Sequence, residues 1–190
     1  MIAFLVVALV VIVSPGPDFA LTVHRTVAAG RRSGLSTALG VVSGQVVWGI
    51  ATAAGLSALL VASRPAFVAL RFVGAAYLVW LGVEALRAAW RGVERPVHIR
   101  SGSGYRQGLL SNVGNPKMAI FFTSLLPQFG ASTLSLVAHS LLFSTLTLVW
   151  LVLVVRAGAA LRVPALRRAL DALTGVVLVA FGIRLATGRR

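Results

Sequence analysis

The chain has 190 residues, of which 58% are hydrophobic and only 12% are charged. A soluble domain has about 25% charged residues, so this chain has too few charges to cover a water-facing surface. The net charge of +14 would suggest nucleic-acid binding in a soluble protein. Here the basic residues lie between long apolar runs, as do arginines that flank membrane helices, so nucleic-acid binding is not expected. With no cysteine and three histidines, disulfides and thiol catalysis are excluded, and neither a metal nor a cofactor is expected.

Apolar runs between the charge clusters predict an all-α integral membrane protein with about six transmembrane helices. Each run is near or above the roughly 20 residues that a bilayer span needs. The N-terminal run has no basic region before it and no small-residue cleavage site after it, so it is expected to remain as the first span. The predicted spans are residues 2–23, 34–62, 66–88, 107–129, 133–155 and 166–187.

The arginines predict the orientation of these spans. Most of them fall on one side, in the clusters at residues 25–32, 87–106 and 156–168. The side richer in Lys and Arg is normally cytoplasmic, so both termini are expected to be extracytoplasmic. The opposite side would carry fewer basic residues, namely Arg64, Arg71, Arg184, Arg189 and Arg190.

A shift of about 100 residues partly aligns the chain with itself. Gly82 falls on Gly182, and one residue out of phase Pro17 falls on Pro116. A repeat with three spans must insert its second copy upside down, which gives the inverted repeat found in many secondary transporters. We therefore expect one transmembrane domain, with repeat 1 at residues 1–91, a basic cytoplasmic loop at 92–105 and repeat 2 at 106–190.

Helix-breaking residues interrupt the first and fourth predicted spans. The first contains Ser-Pro-Gly-Pro-Asp at 14–18, and the fourth contains Gly-Asn-Pro-Lys at 114–117. Proline removes a backbone donor and leaves carbonyls unpaired, which is costly in lipid unless a partner or ligand binds them. Paired interruptions at corresponding positions indicate a transporter's binding site. The residues predicted for substrate binding and proton coupling are Pro15, Gly16, Pro17, Asp18, Asn115, Pro116 and Lys117.

Asp18 and Lys117 are the only charges predicted to lie well inside spans. A lone charge near the bilayer centre costs a few kcal/mol or more, so we expect the two to pair or to face one polar cavity. The alternative is a static ion pair that only locks the bundle.

Other polar and small residues in the spans carry weaker predictions. The embedded amides Gln45, Asn112 and Gln128 could line a polar path or tie helices together, and Gln45 and Asn112 are the candidates for cavity lining. Gly40 and Gly44 form a small-residue stripe with the spacing of a close helix contact, and they could instead serve a homodimer. The four tryptophans are interpreted as interfacial anchors or packing residues, namely Trp48, Trp80, Trp90 and Trp150.

Five sequence segments resemble the LysE/RhtB amino-acid exporter family. They are the 14–18 motif, Ala-Gly-Arg-Arg-Ser-Gly-Leu at 29–35, Ala-Leu-Gly at 38–40, Tyr-Leu-Val-Trp-Leu-Gly at 77–82 and Gly-Asn-Pro-Lys-Met-Ala-Ile-Phe-Phe at 114–122. The resemblance covers essentially the whole chain. It implies export of amino acids or their derivatives across the bacterial inner membrane, driven by the proton gradient. The proline-containing motifs, including Asp18 and Lys117, match the family's motifs residue by residue.

The leading hypothesis is therefore a secondary exporter whose partners are an amino acid, protons and membrane lipid. Asp18 is the candidate for proton coupling, since low dielectric favours the neutral form of an acid. A channel or a non-transporting membrane scaffold is the alternative. An intramembrane enzyme is disfavoured, because H-E-x-x-H and G-x-S-x-G motifs are absent. The residues do not identify which amino acid is exported.

Overall fold

The computed structural model describes residues 1–14, 16–56, 64–91, 103–130, 132–158 and 164–187, and every element within them is helical. In chain order these elements are α1 (Ile2–Val13), α2 (Pro17–Ala51, continued by a π-helical turn at Thr52–Leu56), α3 (Arg64–Arg91), α4 (Gly104–Val113), α5 (Pro116–Ile120, continued by a π-helical turn at Phe121–Leu125 and a 3-10 turn at Leu126–Gln128), α6 (Thr133–Ala157) and α7 (Pro164–Thr187). Most of the predicted cytoplasmic loop, residues 92–102, lies outside the described residues.

The first and fourth predicted spans are each divided into two helices. The chain leaves α1 at Ser14 and enters α2 at Pro17, with Gly16 extended between them. It leaves α4 at Gly114 and enters α5 at Pro116. Each proline occupies the first position of a helix, where its missing N–H would have had no partner in the helix.

A tight helical hairpin replaces the loop that the sequence predicted between residues 23 and 34. Helix α2 continues on both sides of Gly30, which alone departs from helical dihedrals, with φ 81° and ψ 170°. A Cβ on Gly34 would overlap the hydroxyl of Thr26, although residues eight apart lie about 12 Å apart along a straight helix. The two segments of α2 therefore fold back on each other at Gly30, whose positive φ is easily accessible only to glycine.

Glycines bring α2 and α4 into close contact. A Cβ on Gly40 would overlap the carbonyl oxygen of Tyr105, and one on Gly108 would overlap the carbonyl oxygen of Thr37. A Cβ on Gly44 would lie 2.8 Å from Asn112. The predicted small-residue contact is therefore a contact within the chain, and the suggestion that Gly40 and Gly44 serve a homodimer is wrong because α4 already covers them.

Helices α3 and α7 pack against each other in the same way. A Cβ on Gly82 would lie 2.7 Å from the carbonyl oxygen of Gly175, and one on Gly182 would lie 2.8 Å from the carbonyl oxygen of Ala75. Small residues at such positions let two helix backbones approach closely, as in membrane bundles.

An aromatic core next to the break between α1 and α2 fixes α5 and α6. Phe121 and Phe143 stack with ring centroids 4.1 Å apart, and Phe122 meets both rings edge to face. Phe4, Val7 and Val11 of α1 belong to the same buried cluster. The cluster holds the carboxyl end of α1 close to the start of α5.

Two helical stretches in the described part of the chain, one of which contains the fold at Gly30, are long and apolar enough to cross a bilayer. They are Pro17–Gly55 and Thr133–Ala157, and α1 is a shorter apolar helix. Helices α3 and α7, with 28 and 24 residues, have lengths of about 42 and 36 Å at 1.5 Å per residue, which also exceeds the apolar thickness of a bilayer. The count of six spans stays a prediction.

Candidate functional site

The Asp18 carboxylate lies in the first turn of α2 and accepts hydrogen bonds from the break between α4 and α5. Oδ1 accepts from the Ser111 hydroxyl at 2.6 Å. Oδ2 accepts from Nδ2 of Asn112 at 2.8 Å and from Nδ2 of Asn115 at 3.1 Å. All three donors come from residues more than ninety positions away in the sequence.

The Asn115 side chain has a second role at the start of α5. Its Oδ1 accepts the backbone N–H of Lys117 at 3.0 Å, which is the bond of a helix N-cap. The Oδ1 of Asn112, by contrast, is buried and has no hydrogen-bond partner. Both amides are almost completely buried, so the helix break and Asp18 form one packed unit.

The Lys117 ammonium lies at the opposite break, against the carboxyl end of α1. Its Nζ donates to the carbonyl oxygens of Val11 at 3.0 Å and Ser14 at 3.1 Å. The last carbonyls of a helix have no partner within the helix, and that end carries negative partial charge. Lys117 therefore supplies a charged donor to carbonyls that lipid could not satisfy. Its Nζ also lies 3.1 Å from the position of a Cβ on Gly16, where a side chain would crowd it.

The two charges are thus held reciprocally. Asp18, which follows the first break, binds donors at the second, and Lys117, which follows the second break, binds acceptors at the first. The sequence predicted that they would pair or share a cavity. In the described contacts each is held by the other's helix break, and both line one cavity.

The cavity lies between the two breaks and the middle of α2 and α6. It has a volume of about 20 Å³, which is room for about one water molecule and not for an amino acid. Charged, amide, hydroxyl and indole groups share its wall with apolar side chains. The polar residues that line it are Ser14, Asp18, Gln45, Lys117, Thr147 and Trp150.

One further pair of opposite charges lies on the surface of α3. Arg87 donates to Glu84 at 2.7 Å, and both side chains are substantially exposed. Such a pair contributes little to stability. Neither residue lines the cavity, so the pair offers charged residues for control variants. Among the residues described, no cluster of three His, Asp or Glu side chains could hold a metal ion.

The sequence matches the LysE type translocator family over residues 9–189. The chain belongs to this family. Membership confirms the family resemblance and makes the chain a multi-pass protein of the bacterial inner membrane and a transporter, not an enzyme. This agrees with a site made of two helix breaks and a polar cavity.

Several relatives of this translocator align with nearly its whole length. A membrane protein of Pseudomonas aeruginosa is 35% identical, with 93% of this chain and 90% of the relative aligned. The threonine efflux protein of Escherichia coli K12 is 30% identical, with 98% of each aligned. The homoserine/homoserine lactone efflux protein of Salmonella typhimurium is 27% identical, over 98% of this chain and 96% of that protein. No solved structure matches the chain.

The structure brings most of the predicted site residues of the translocator together. Gly16, Asp18, Lys117 and Gln45 line the cavity, and Asn115 binds Asp18. Three predicted site residues do not line the cavity. Pro17 and Pro116 are exposed at helix starts, and Asn112 binds Asp18 but is not among the cavity-lining residues. Pro15 lies outside the described residues.

Four residues that bind Asp18 or line the cavity were not predicted from the sequence as site residues. Ser111 gives the shortest bond to Asp18, and Phe19, Thr147 and Trp150 line the cavity. Ser111 and Phe19 directly adjoin predicted site residues, which is a signal that could have found them. Trp150 was interpreted only as an anchor or packing residue, since nothing in the sequence of α6 shows which of its faces meets the breaks.

Proposed function

We propose that this translocator exports small amino acids from the cytoplasm by alternating access, in exchange for protons. The observation that carries the proposal is the reciprocal binding of Asp18 and Lys117 at the two helix breaks around one cavity. A zwitterionic amino acid presents an ammonium and a carboxylate, which complement these two charges. The efflux of threonine and homoserine named for the relatives supports a small amino acid as substrate.

The proposed architecture is six spans in two inverted repeats, residues 1–91 and 106–190, with both termini extracytoplasmic. Support comes from the position of the breaks, since Pro17 and Pro116 each begin a helix that follows an interrupted span. Helices α3 and α7, the last of each repeat, pack together through glycines. In such a pair, exchange of conformation between the halves moves the site from one side of the membrane to the other.

The small cavity supports a closed state between the two open ones. An amino acid needs more space than the one water that fits here, so substrate entry requires the breaks to separate. Separation pulls Asp18 away from Asn112 and Asn115, or Lys117 away from Val11 and Ser14. The ammonium and carboxylate of the substrate would then replace the contacts that are lost.

Protonation of Asp18 supplies the proposed coupling step. Both amide donors lie on Oδ2, so a proton there would face two N–H groups. A proton on Oδ1 is compatible only if the Ser111 hydroxyl reverses its bond and accepts. Protonation therefore weakens the bonds between Asp18 and the second break and favours opening.

Transport by the purified chain in proteoliposomes tests the proposal. With labelled threonine outside and an acidic lumen, we expect the outward proton gradient to drive uptake that a protonophore abolishes. Asp18→Asn keeps the shape of the side chain but cannot exchange a proton, so its uptake should no longer respond to the gradient. Glu84→Gln removes the surface acid of α3 and is the matched control.

The alternatives give different results in the same experiment. A channel would pass the amino acid down its own gradient whatever the pH difference, and a non-transporting scaffold would pass none. Uptake by Asp18→Asn that follows the pH gradient as the wild type does would refute proton coupling through this residue. A separate growth-inhibition screen with amino acids and analogues, in a deletion strain with and without the chain, identifies the substrate.

A further inference from the structure

Two residues that line the cavity have a buried polar atom with no partner. They are Gln45, whose Oε1 is unpartnered, and Trp150, whose indole Nε1 is unpartnered. Gln45 is only 1% exposed. Buried polar groups are nearly always hydrogen-bonded, and an unpartnered one at a cavity marks a place where a ligand can bind.

The neighbouring Thr147 fixes which end of the Gln45 amide is the unpartnered one. The Thr147 hydroxyl donates to the carbonyl of Phe143 at 2.9 Å, so its oxygen can only accept from Gln45. The amide nitrogen must therefore face Thr147, at 3.2 Å. The oxygen of the amide is left as a fixed acceptor.

Trp150 provides the complementary group. An indole nitrogen is a donor only and cannot change its role by rotation. Its ring lies parallel to Phe19, with centroids 6.4 Å apart and an angle of 18° between the planes. The residues that line the cavity therefore include one with a fixed neutral acceptor and one with a fixed neutral donor, in addition to the two charged residues.

We propose that Gln45 and Trp150 recognise the hydroxyl group of a hydroxy amino acid. A hydroxyl is the smallest group that both donates and accepts, so it can satisfy both atoms in a cavity with little space. The charges of Asp18 and Lys117 match the ammonium and carboxylate of the same substrate. This inference rests on the proposed export of amino acids and adds the residues that read the substrate's side chain.

Competition between threonine and valine tests the pair, because valine replaces the threonine hydroxyl with a methyl of similar size. The wild-type chain should export threonine at least about tenfold more efficiently, since valine leaves two buried polar atoms unsatisfied. Gln45→Met removes the acceptor and Trp150→Phe removes the donor. Each should lower threonine export about tenfold and raise valine export, because one of the atoms that valine leaves unsatisfied is gone, so that selectivity falls.

Matched controls remove the same chemical groups outside the cavity. Gln128→Met deletes an amide whose nitrogen donates to the Ser124 carbonyl, and Trp90→Phe deletes an indole N–H from a side chain that is 92% exposed. Both should retain the wild-type ratio of threonine to valine export.

The outcomes separate this inference from the proposed function. Loss of selectivity in both cavity variants supports the inference. Equal loss of threonine and valine export in both would show a merely structural role and overturn it, as would a wild-type chain that exports valine as well as threonine. If the chain exports no amino acid, the proposed function itself fails, and this inference fails with it.

Discussion

The amide of Asn115 joins Asp18 to the start of α5. Its Nδ2 donates to Oδ2 of Asp18 at 3.1 Å, while its Oδ1 caps the helix by accepting from the backbone N–H of Lys117 at 3.0 Å. A movement of Asp18 is therefore passed to the helix that carries the second charge. Few side chains could make both bonds, since the side chain must donate to Asp18 and accept from Lys117 at the same time.

Asn115→Asp separates these two roles. Aspartate is as good an N-cap as asparagine, so α5 should still form. It cannot donate to Asp18, and it adds a second negative charge beside it. We expect export to fall at least about tenfold, because the lost charged bond is replaced by repulsion, with the amount of protein in the membrane unchanged.

The measurement is threonine transport together with quantification of purified protein. Asn115→Ser, which can cap the helix and donate through its hydroxyl, should retain more activity than Asn115→Asp. Equal activities of the two variants would contradict a role for the bond to Asp18.

Lys117→Met should destabilise the end of α1. It leaves the carbonyls of Val11 and Ser14 without their charged donor, at a cost of about 1–3 kcal/mol for each buried group left unsatisfied. We expect a lower unfolding temperature in detergent, followed by tryptophan fluorescence, and loss of export. Arg87→Met removes an exposed cation from α3 and should change neither. An unfolding temperature as high as that of the wild type would show that Lys117 does not hold the break.

Sequence reasoning located the helix breaks and both internal charges, because proline, glycine and isolated charges are unusual in apolar spans. It did not find the partners of the charges. Ser111 and Asp18 are 93 residues apart, and only the packing of α4 against α2 decides which donors reach the carboxylate. The hairpin at Gly30 was also missed. The arginines around it indicate the end of a span, but they do not show that the backbone stays helical on both sides of the glycine. In α6 the apolar residues have no periodicity strong enough to place Trp150 at the cavity.

Gly44→Ala should reduce export because the added methyl group displaces the Asn112 side chain. The added Cβ would lie 2.8 Å from both Oδ1 and Cβ of Asn112, which is too close, so the amide must shift from its 2.8 Å bond to Asp18. Gly55→Ala is the control, because nothing lies within 4 Å of a Cβ there. We expect transport to fall in the first variant only. If both variants transport normally, Asn112 does not position Asp18.

Gly30→Ala should destabilise the hairpin between the segments of α2. A Cβ meets no atom within 4 Å at this position, so any effect comes from the backbone. The dihedrals, φ 81° and ψ 170°, lie in a region populated almost only by glycine, and a side chain there costs about 1–3 kcal/mol. Thermal unfolding compared with Gly55→Ala measures this cost, and equal unfolding temperatures would disprove the backbone argument.

The distance in sequence between Asp18 and its partners has a consequence for membrane insertion. When the first span leaves the ribosome, the donors of Ser111, Asn112 and Asn115 have yet to be synthesised. At about 5–20 residues per second, roughly 90 residues take about 5–20 s. An acid without partners is costly in the bilayer core during this time. The N-terminal segment should therefore reach its final depth only when α4 arrives, so the last steps of assembly occur after most of the chain has entered the membrane.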